Sequence, residues 1–160
     1  MRGKYKVLPG AYPYITPLAL LSGIGLLLGL WINPGFYIVA IVFLLLTLFV
    51  AFFFRDPERE VPTDEKAVVS PADGLVVVVK PVDPADANAG MLISIFLSIF
   101  DVHINRSPLA GKIIATEYRP GRFMIATKQK ASLENEQNVV TVENQYARVV
   151  FKQIAGLIAR

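Results

Sequence analysis

The sequence has no cysteine and a single histidine, His103. The missing cysteines exclude a disulfide scaffold, a thiolate nucleophile and any Cys-based zinc or iron–sulfur site. One histidine leaves almost no material for a His-rich centre, so no metal is expected. Charge is also scarce: 18% of the 160 residues are charged and 54% are hydrophobic. Soluble domains average about 25% charged and about 45–50% apolar. The chain is too apolar for an ordinary soluble domain and far too apolar to be disordered. Arg2, Lys4 and Lys6 account for the net charge of +3, because the other 13 Lys and Arg balance the 13 Asp and Glu. No basic stripe remains in the body, so nucleic acid is not an expected partner.

The apolar excess lies in the first third. No charged residue stands between Lys6 and Arg55, and the only strong break is Asn33-Pro34-Gly35. Phe36–Phe54 is 19 residues long, which as a helix spans about 28 Å at 1.5 Å per residue, close to the bilayer's hydrocarbon thickness of about 30 Å. Ala11–Ile32 reaches a similar length, with Tyr12 and Tyr14 at the interface. Asn-Pro-Gly is a turn signal, so residues 1–54 read as an anchor of two transmembrane helices in a hairpin. A signal peptide would share the basic start, but the apolar stretch is too long and a second span follows at once. Two buried core helices are the other alternative. A run such as Ile41–Leu46 has no polar face, and the rest of the chain could hardly cover both helices. Lys and Arg flank both ends and are absent from the tip. The positive-inside rule then predicts a multi-pass hairpin in the cell membrane with both ends in the cytoplasm.

From Arg55 the texture changes. Arg55–Glu60 is a charged collar interrupted by Pro57 and followed by Pro62, too punctuated to continue a helix. Short β-rich runs follow: Ala67–Ser70, Leu75–Lys80, Met91–Phe100, Gly111–Tyr118, Asn138–Val142 and Ala147–Gln153. The last two form a hairpin across Glu143–Tyr146. Residues 55–160 therefore read as a mainly-β barrel or sandwich domain.

Two segments carry candidate chemistry. Asp73 lies in Ser70-Pro71-Ala72-Asp73-Gly74, where an Asp before Gly is most simply a turn residue. His103 lies in Phe100-Asp101-Val102-His103-Ile104-Asn105-Arg106-Ser107-Pro108, where an apolar strand gives way to a polar loop, a common place for functional groups. Alone it reads equally well as a hydrogen-bonded structural residue. Asp, His and a hydroxyl together activate a serine: the imidazole takes the proton, and the carboxylate fixes the tautomer. Ser70, Ser94, Ser98, Ser107 and Ser132 are available, but none sits in a nucleophile-elbow pattern. The Pro-Gly turn of Tyr118-Arg119-Pro120-Gly121-Arg122-Phe123 reads as a solvated surface turn or as a loop meeting lipid phosphates. Lys130–Asn138 reads by composition as a loop.

Taken in order, FFFRDPEREVP, VVSPADGLV, FLSIFDVHINRSPLAGKI, YRPGRF and KASLENEQN resemble the phosphatidylserine decarboxylases. The resemblance is to the short branch of bacteria and archaea, whose archaeal members act on archaetidylserine, and it runs from about Phe52 to the end. It implies a proenzyme in which a serine of a C-terminal Gly-Ser motif cleaves the chain and leaves a pyruvoyl group on a small α chain. That carbonyl is then the electron sink for decarboxylating a serine phospholipid to the ethanolamine lipid. The resemblance implies Asp73 and His103 as catalytic residues, expected within hydrogen-bond reach at the mouth of the β domain. Asn105, Arg106, Arg119, Arg122, Phe123 and Asn135 are the candidate substrate-binding residues. Expected partners are the pyruvoyl-bearing α chain, the serine phospholipid, the lipid bilayer and a second copy in a homodimer.

Two features depart from the family pattern. Longer relatives carry a second histidine three residues after the first, where this chain has Arg106. No Gly-Ser cleavage site is present, so the sequence is expected to be most of a β chain, incomplete at the C-terminus and without the pyruvoyl serine. Two other functions fit the same residues: a non-enzymatic membrane-anchored β adaptor, and a membrane serine hydrolase using Asp73 and His103.

Overall fold

The computed structural model describes residues 5–86, 90–125 and 131–157. The chain divides into two units, Met1–Glu60 and Val61–Arg160.

The first unit is a helical hairpin laced at its open end. Strand β1 (Tyr5–Val7) leads through a 3₁₀ turn, Pro9–Ala11, into helix α1 (Tyr12–Trp31); helix α2 (Phe36–Phe53) is followed by strand β2 (Arg55–Pro57). Pro13 lies in the first turn of α1, where a backbone N–H has no intrahelical acceptor to lose. Between the helices, Asn33 Oδ1 accepts from the Gly35 amide at 2.8 Å and closes the turn. The helices meet on small residues. Gly25 lies against Ala40 and Gly29 against the Tyr37 ring, while Ser22 Oγ donates to the Ala40 carbonyl at 2.8 Å. A side chain at either glycine would separate the helices. Most of their other large apolar side chains, Leu20, Leu27, Leu30, Ile41 and Leu45 among them, face outward and are exposed. Both helices are long and apolar enough to cross a membrane.

The collar is not the irregular segment its prolines suggest. Residues 55–57 pair antiparallel with β1, Val7 opposite Arg55 and Tyr5 opposite Pro57. The Leu8 amide adds a bond to the Phe54 carbonyl at 3.0 Å, and Tyr14 stacks on Phe54 with ring centres 6.0 Å apart. Arg55 caps α2: Nη1 donates to the Phe52 carbonyl at 2.8 Å, and its guanidinium lies 3.8 Å from the Phe52 ring centre. A cation at a helix C-terminus meets the negative end of the dipole.

The second unit is mainly β, but the described residues form no closed barrel. Strands β3 (Leu75–Pro81) and β4 (Met91–Phe96) make a two-stranded antiparallel ribbon; β5 (Lys112–Arg119), β6 (Gln137–Glu143) and β7 (Arg148–Ile154) make a separate three-stranded sheet. A barrel needs every edge paired, and among the described residues β3 and β4 pair only with each other. The predicted hairpin of the last two strands is present. Asn144 Oδ1 accepts from the Tyr146 and Ala147 amides at 2.8 and 2.9 Å. Leu109, Val140 and Val142 form the small core, with Ala147, Val149 and Phe151 against it.

Three expectations are corrected. Ala67–Ser70 is not a strand, although the Val69 amide bonds the Pro108 carbonyl at 2.9 Å. The run Met91–Phe100 leaves the ribbon after Phe96, because Ser98–Asp101 folds into a turn. Residues Ala131–Glu134 form a short helix, α3, rather than loop.

Leu75–Val79 is apolar at every position, as in a strand covered on both faces. Here its side chains are 37–67% exposed.

Candidate functional site

The site is assembled by backbone before any side chain is considered. Asp73 precedes Gly74, which opens β3 beside the end of β4; a Cβ at Gly74 would run into the Phe96 carbonyl. Only glycine lets the Asp73 turn approach β4 that closely. From Phe96 the chain passes through the Ser98–Asp101 turn to His103 and then runs alongside the Asp73 segment. The Arg106 amide donates to the Pro71 carbonyl at 2.8 Å, and the Val69 amide to the Pro108 carbonyl at 2.9 Å. The Ser-Pro-Ala-Asp-Gly turn and the His-Ile-Asn-Arg-Ser-Pro loop are neighbours. Both Asp73 and His103 are half-buried, and Val102, Pro108 and Leu109 of the histidine segment are buried.

His103 is oriented by its own loop. Nδ1 lies 3.1 Å from the Asp101 carbonyl oxygen. A carbonyl only accepts, so Nδ1 carries the hydrogen in this contact. Asp101 is itself held, since its Oδ2 accepts from the Ser98 amide at 2.7 Å and its amide donates to the Ser98 carbonyl at 2.9 Å. Two residues beyond His103, Asn105 Oδ1 is buried with no hydrogen-bond partner among the described residues. Buried acceptors are seldom left unmet. The loop thus combines an acid–base group with an acceptor awaiting a donor. Of the serines, Ser70 and Ser107 spend their hydroxyls on local carbonyls, Ala72 and Leu109, at 2.7 Å each.

The remaining candidates gather elsewhere, around the Pro-Gly turn. Gly121 lies so close to the Glu134–Glu136 backbone that a Cβ would collide with it. The Arg122 amide donates to the Glu134 carbonyl at 2.7 Å and the Glu136 amide to the Arg122 carbonyl at 2.9 Å. Asn135 is 2% exposed. Its Oδ1 accepts from the Met124 amide at 3.0 Å, and its Nδ2 donates to the Met124 and Ala155 carbonyls at 2.8 Å each. These bonds make Asn135 a structural clamp that holds the Phe123–Met124 segment against the end of β7. Arg119 is exposed and bidentate on Glu117, at 2.7 and 2.9 Å. Arg122 lies 3.5 Å from Glu134, and Phe123 is half-buried. The hydrogen bond to Arg119 holds the Glu117 carboxyl below its ordinary range, and donation to Glu136 raises the Tyr118 phenol.

Of the expected site, Asp73, His103, Asn105 and Arg106 share one locus, while Arg119, Arg122, Phe123 and Asn135 share another. Asp101, whose carbonyl faces the His103 ring, is a residue the sequence does not single out. Its Asp-x-His spacing is the available signal, because a carbonyl two residues before a histidine can reach Nδ1 in a tight loop. Among the described residues, no group of three or more His, Asp or Glu could hold a metal.

Comparison with known proteins decides the family. A family model described as phosphatidylserine decarboxylase matches residues 46–160. The chain belongs to the phosphatidylserine decarboxylase family. A relative from Solibacter usitatus, named phosphatidylserine decarboxylase proenzyme, is 52% identical over 122 residues, 76% of this chain and 56% of its own. Relatives of the same name from Citrifermentans bemidjiense and Carboxydothermus hydrogenoformans are 43% and 46% identical over 93% and 92% of this chain, and 69% and 67% of their own. The chain thus spans between about half and two thirds of the family members it matches. Their designation as proenzymes places the family among enzymes that mature from a precursor.

Proposed function

We propose that this chain is the larger, membrane-anchored portion of a self-cleaving, pyruvoyl-dependent decarboxylase that converts a serine phospholipid to the ethanolamine phospholipid. The observation that carries this is the backbone-tied pair of loops that brings the Asp73 turn beside His103, on a chain that belongs to the family.

The residues present fit such a group. His103 offers a proton acceptor and donor, the side-chain type suited to acid–base work near neutrality. Asn105 Oδ1 is an unmet acceptor two residues away. Asp73 would stabilise the imidazolium by its charge, since the Asp101 carbonyl occupies the Nδ1 hydrogen. A bound pyruvoyl carbonyl supplies the electron sink that makes loss of carbon dioxide feasible. His103 takes the proton of the attacking serine during self-cleavage, and in turnover returns one to the α carbon. Arg106 cannot share that work, because its guanidinium stays protonated.

The exposure of Leu75–Val79 on both faces supports a further protein segment over the β3–β4 ribbon, the role an α chain would fill. The charge-free hairpin, its outward apolar side chains and the lacing of its two ends by β1 and β2 support insertion in the cell membrane from the cytoplasmic side. Arg119 and Arg122 are the candidates for the lipid phosphate.

The test is release of carbon dioxide from carboxyl-labelled phosphatidylserine in mixed micelles by the full-length gene product. Labelled carbon dioxide formed in step with phosphatidylethanolamine is the expected result. No release, with a folded protein, would overturn the proposal, and labelling by a fluorophosphonate probe would favour a serine hydrolase.

A further inference from the structure

We infer that Asn144, in the turn of the β6–β7 hairpin, is a positioning residue for self-cleavage: its side-chain amide ties the segment leading into Asp73 to the segment leading away from His103. This rests on the reading of those two segments as the processing site, and it concerns how they are held. They run side by side in antiparallel sense, Pro71 opposite Arg106 and Val69 opposite Pro108. In an antiparallel ladder the residues of a hydrogen-bonded pair exchange two N–H to carbonyl bonds. Proline has no N–H, so each of these pairs keeps one: Arg106 to Pro71 at 2.8 Å and Val69 to Pro108 at 2.9 Å. The next pair in this register is Ala67 with Ala110. There the chain turns away, because the Ala67 amide donates to the Asp64 carbonyl at 3.0 Å and the Lys66 amide to Asp64 Oδ1 at 2.9 Å.

Asn144 enters where the ladder stops. Its Nδ2 donates to the Ala110 carbonyl at 2.9 Å and to the Glu65 carbonyl at 3.0 Å, partners 34 and 79 residues away in sequence. Its Oδ1 accepts from the Tyr146 and Ala147 amides at 2.8 and 2.9 Å, and its own backbone amide donates to the Ala147 carbonyl at 3.0 Å. A primary amide has two N–H donors and an oxygen with two lone pairs, and all four are engaged. The oxygen fixes the group in the hairpin turn, and the nitrogen holds both loop segments. The hairpin is braced in turn by the pairing of β6 with β7 and by the core around Val140 and Val142. Both loops are thereby anchored to the buried strand β6. Without the tie, the Asp73 turn and the His103 loop keep their two single bonds and can part beyond Pro108.

The test compares Asn144→Asp, Asn144→Ser and Arg148→Ala in the full-length gene product. Asp and Ser keep an oxygen for the turn amides. A carboxylate has no hydrogen to donate, and a serine hydroxyl has one hydrogen for two carbonyls. Arg148→Ala removes the exposed ion pair with Glu143 at the hairpin base and leaves the tie intact. Processing is read as conversion to two chains. Hydrogen exchange by mass spectrometry reports the peptides holding Val69, Arg106 and β6, and ¹⁵N-histidine spectra report the His103 ring, identified by His103→Gln. Both Asn144 variants should process on the order of 10²-fold more slowly, the scale of a displaced reacting group. They should also exchange faster at Val69 and Arg106 and shift the His103 signals, with β6 protection retained; Arg148→Ala should match the parent. Parental processing of both Asn144 variants, or unchanged exchange at Val69 and Arg106, overturns the assignment. So does exchange that rises equally in β6, or an equal loss in Arg148→Ala, since either makes the effect one of hairpin stability. A parent that never splits, with the expected exchange pattern, would refute the functional reading and leave the tie in place.

Discussion

The Arg106 amide and the Pro71 carbonyl, 2.8 Å apart, join two segments separated by more than thirty residues of chain. Through this bond and its neighbour from Val69 to Pro108, the turn carrying Asp73 and the loop carrying His103 are set side by side. Each segment alone is a polar loop; the two backbone bonds make them neighbours.

The close approach at Gly74 gives a direct perturbation. Gly74→Ala places a Cβ against the Phe96 carbonyl, so the turn must shift away from β4. Overpacking of this kind costs about 1–3 kcal/mol. Processing should slow in the full-length product, with a lower urea midpoint. An unchanged midpoint and unchanged processing would show that the approach is not needed.

Asn135 separates a structural role from a substrate contact. Asn135→Ala leaves the Met124 amide and the Met124 and Ala155 carbonyls without their partner. Each stranded buried group costs roughly 1–3 kcal/mol, a large share of a typical stability of about 5–15 kcal/mol. The denaturation midpoint should fall sharply. A variant as stable as the parent but with raised KM would instead identify Asn135 as a lipid contact.

The Tyr118–Glu136 bond predicts an alkaline signature. Its phenol is raised above the ordinary value of 10.0 because the neutral hydroxyl donates to Glu136. A folded pKa above the unfolded one contributes stability below the unfolded value, lost as pH rises through the folded value. The stability difference between the parent and Tyr118→Phe should therefore be present near neutrality and shrink above about pH 10. Tyr118 is exposed, so the difference is small. A difference that grows with pH would contradict the bond.

The hairpin is tested by removal. The full-length product should stay with membranes through alkaline carbonate extraction, and a form lacking residues 1–60 should be released. The cut at residue 60 follows the boundary between the two units. A truncated form that still resists extraction would show that the hairpin is not the principal anchor.

Much of this was legible in the sequence because it depends on local pattern. The charge-free span with one Asn-Pro-Gly break marks both helices to within a residue or so, and the β-rich run Asn138–Val142 marks the central strand. Strands β1 and β2 were not legible, since three residues carry no alternation and their pairing closes a loop around both helices. Between barrel and sandwich the sequence does not choose, because a continuous run such as Leu75–Val79 announces coverage without saying what covers it. At the site, Asp73 and His103 are marked by the family resemblance, since by residue type alone each reads equally well as a structural residue. Asp101 is not marked, because its contact with His103 is made by a backbone carbonyl, which every residue carries. Asn135 was misleading for a related reason, since a buried amide in Leu133-Glu134-Asn135-Glu136-Gln137 reads as one more polar loop residue.

The central claim is that the chain matures by a cleavage in which His103 takes the serine proton. Intact mass spectrometry of the full-length product and its His103→Ala variant tests it most directly. A serine hydroxyl is a poor nucleophile without a base, and losing a general base costs on the order of 10²–10⁴ in rate. The account predicts two chains for the parent, the smaller beginning with a pyruvoyl group, and a single uncleaved precursor for His103→Ala. Conversion of His103→Ala to two chains at the parental rate would contradict it.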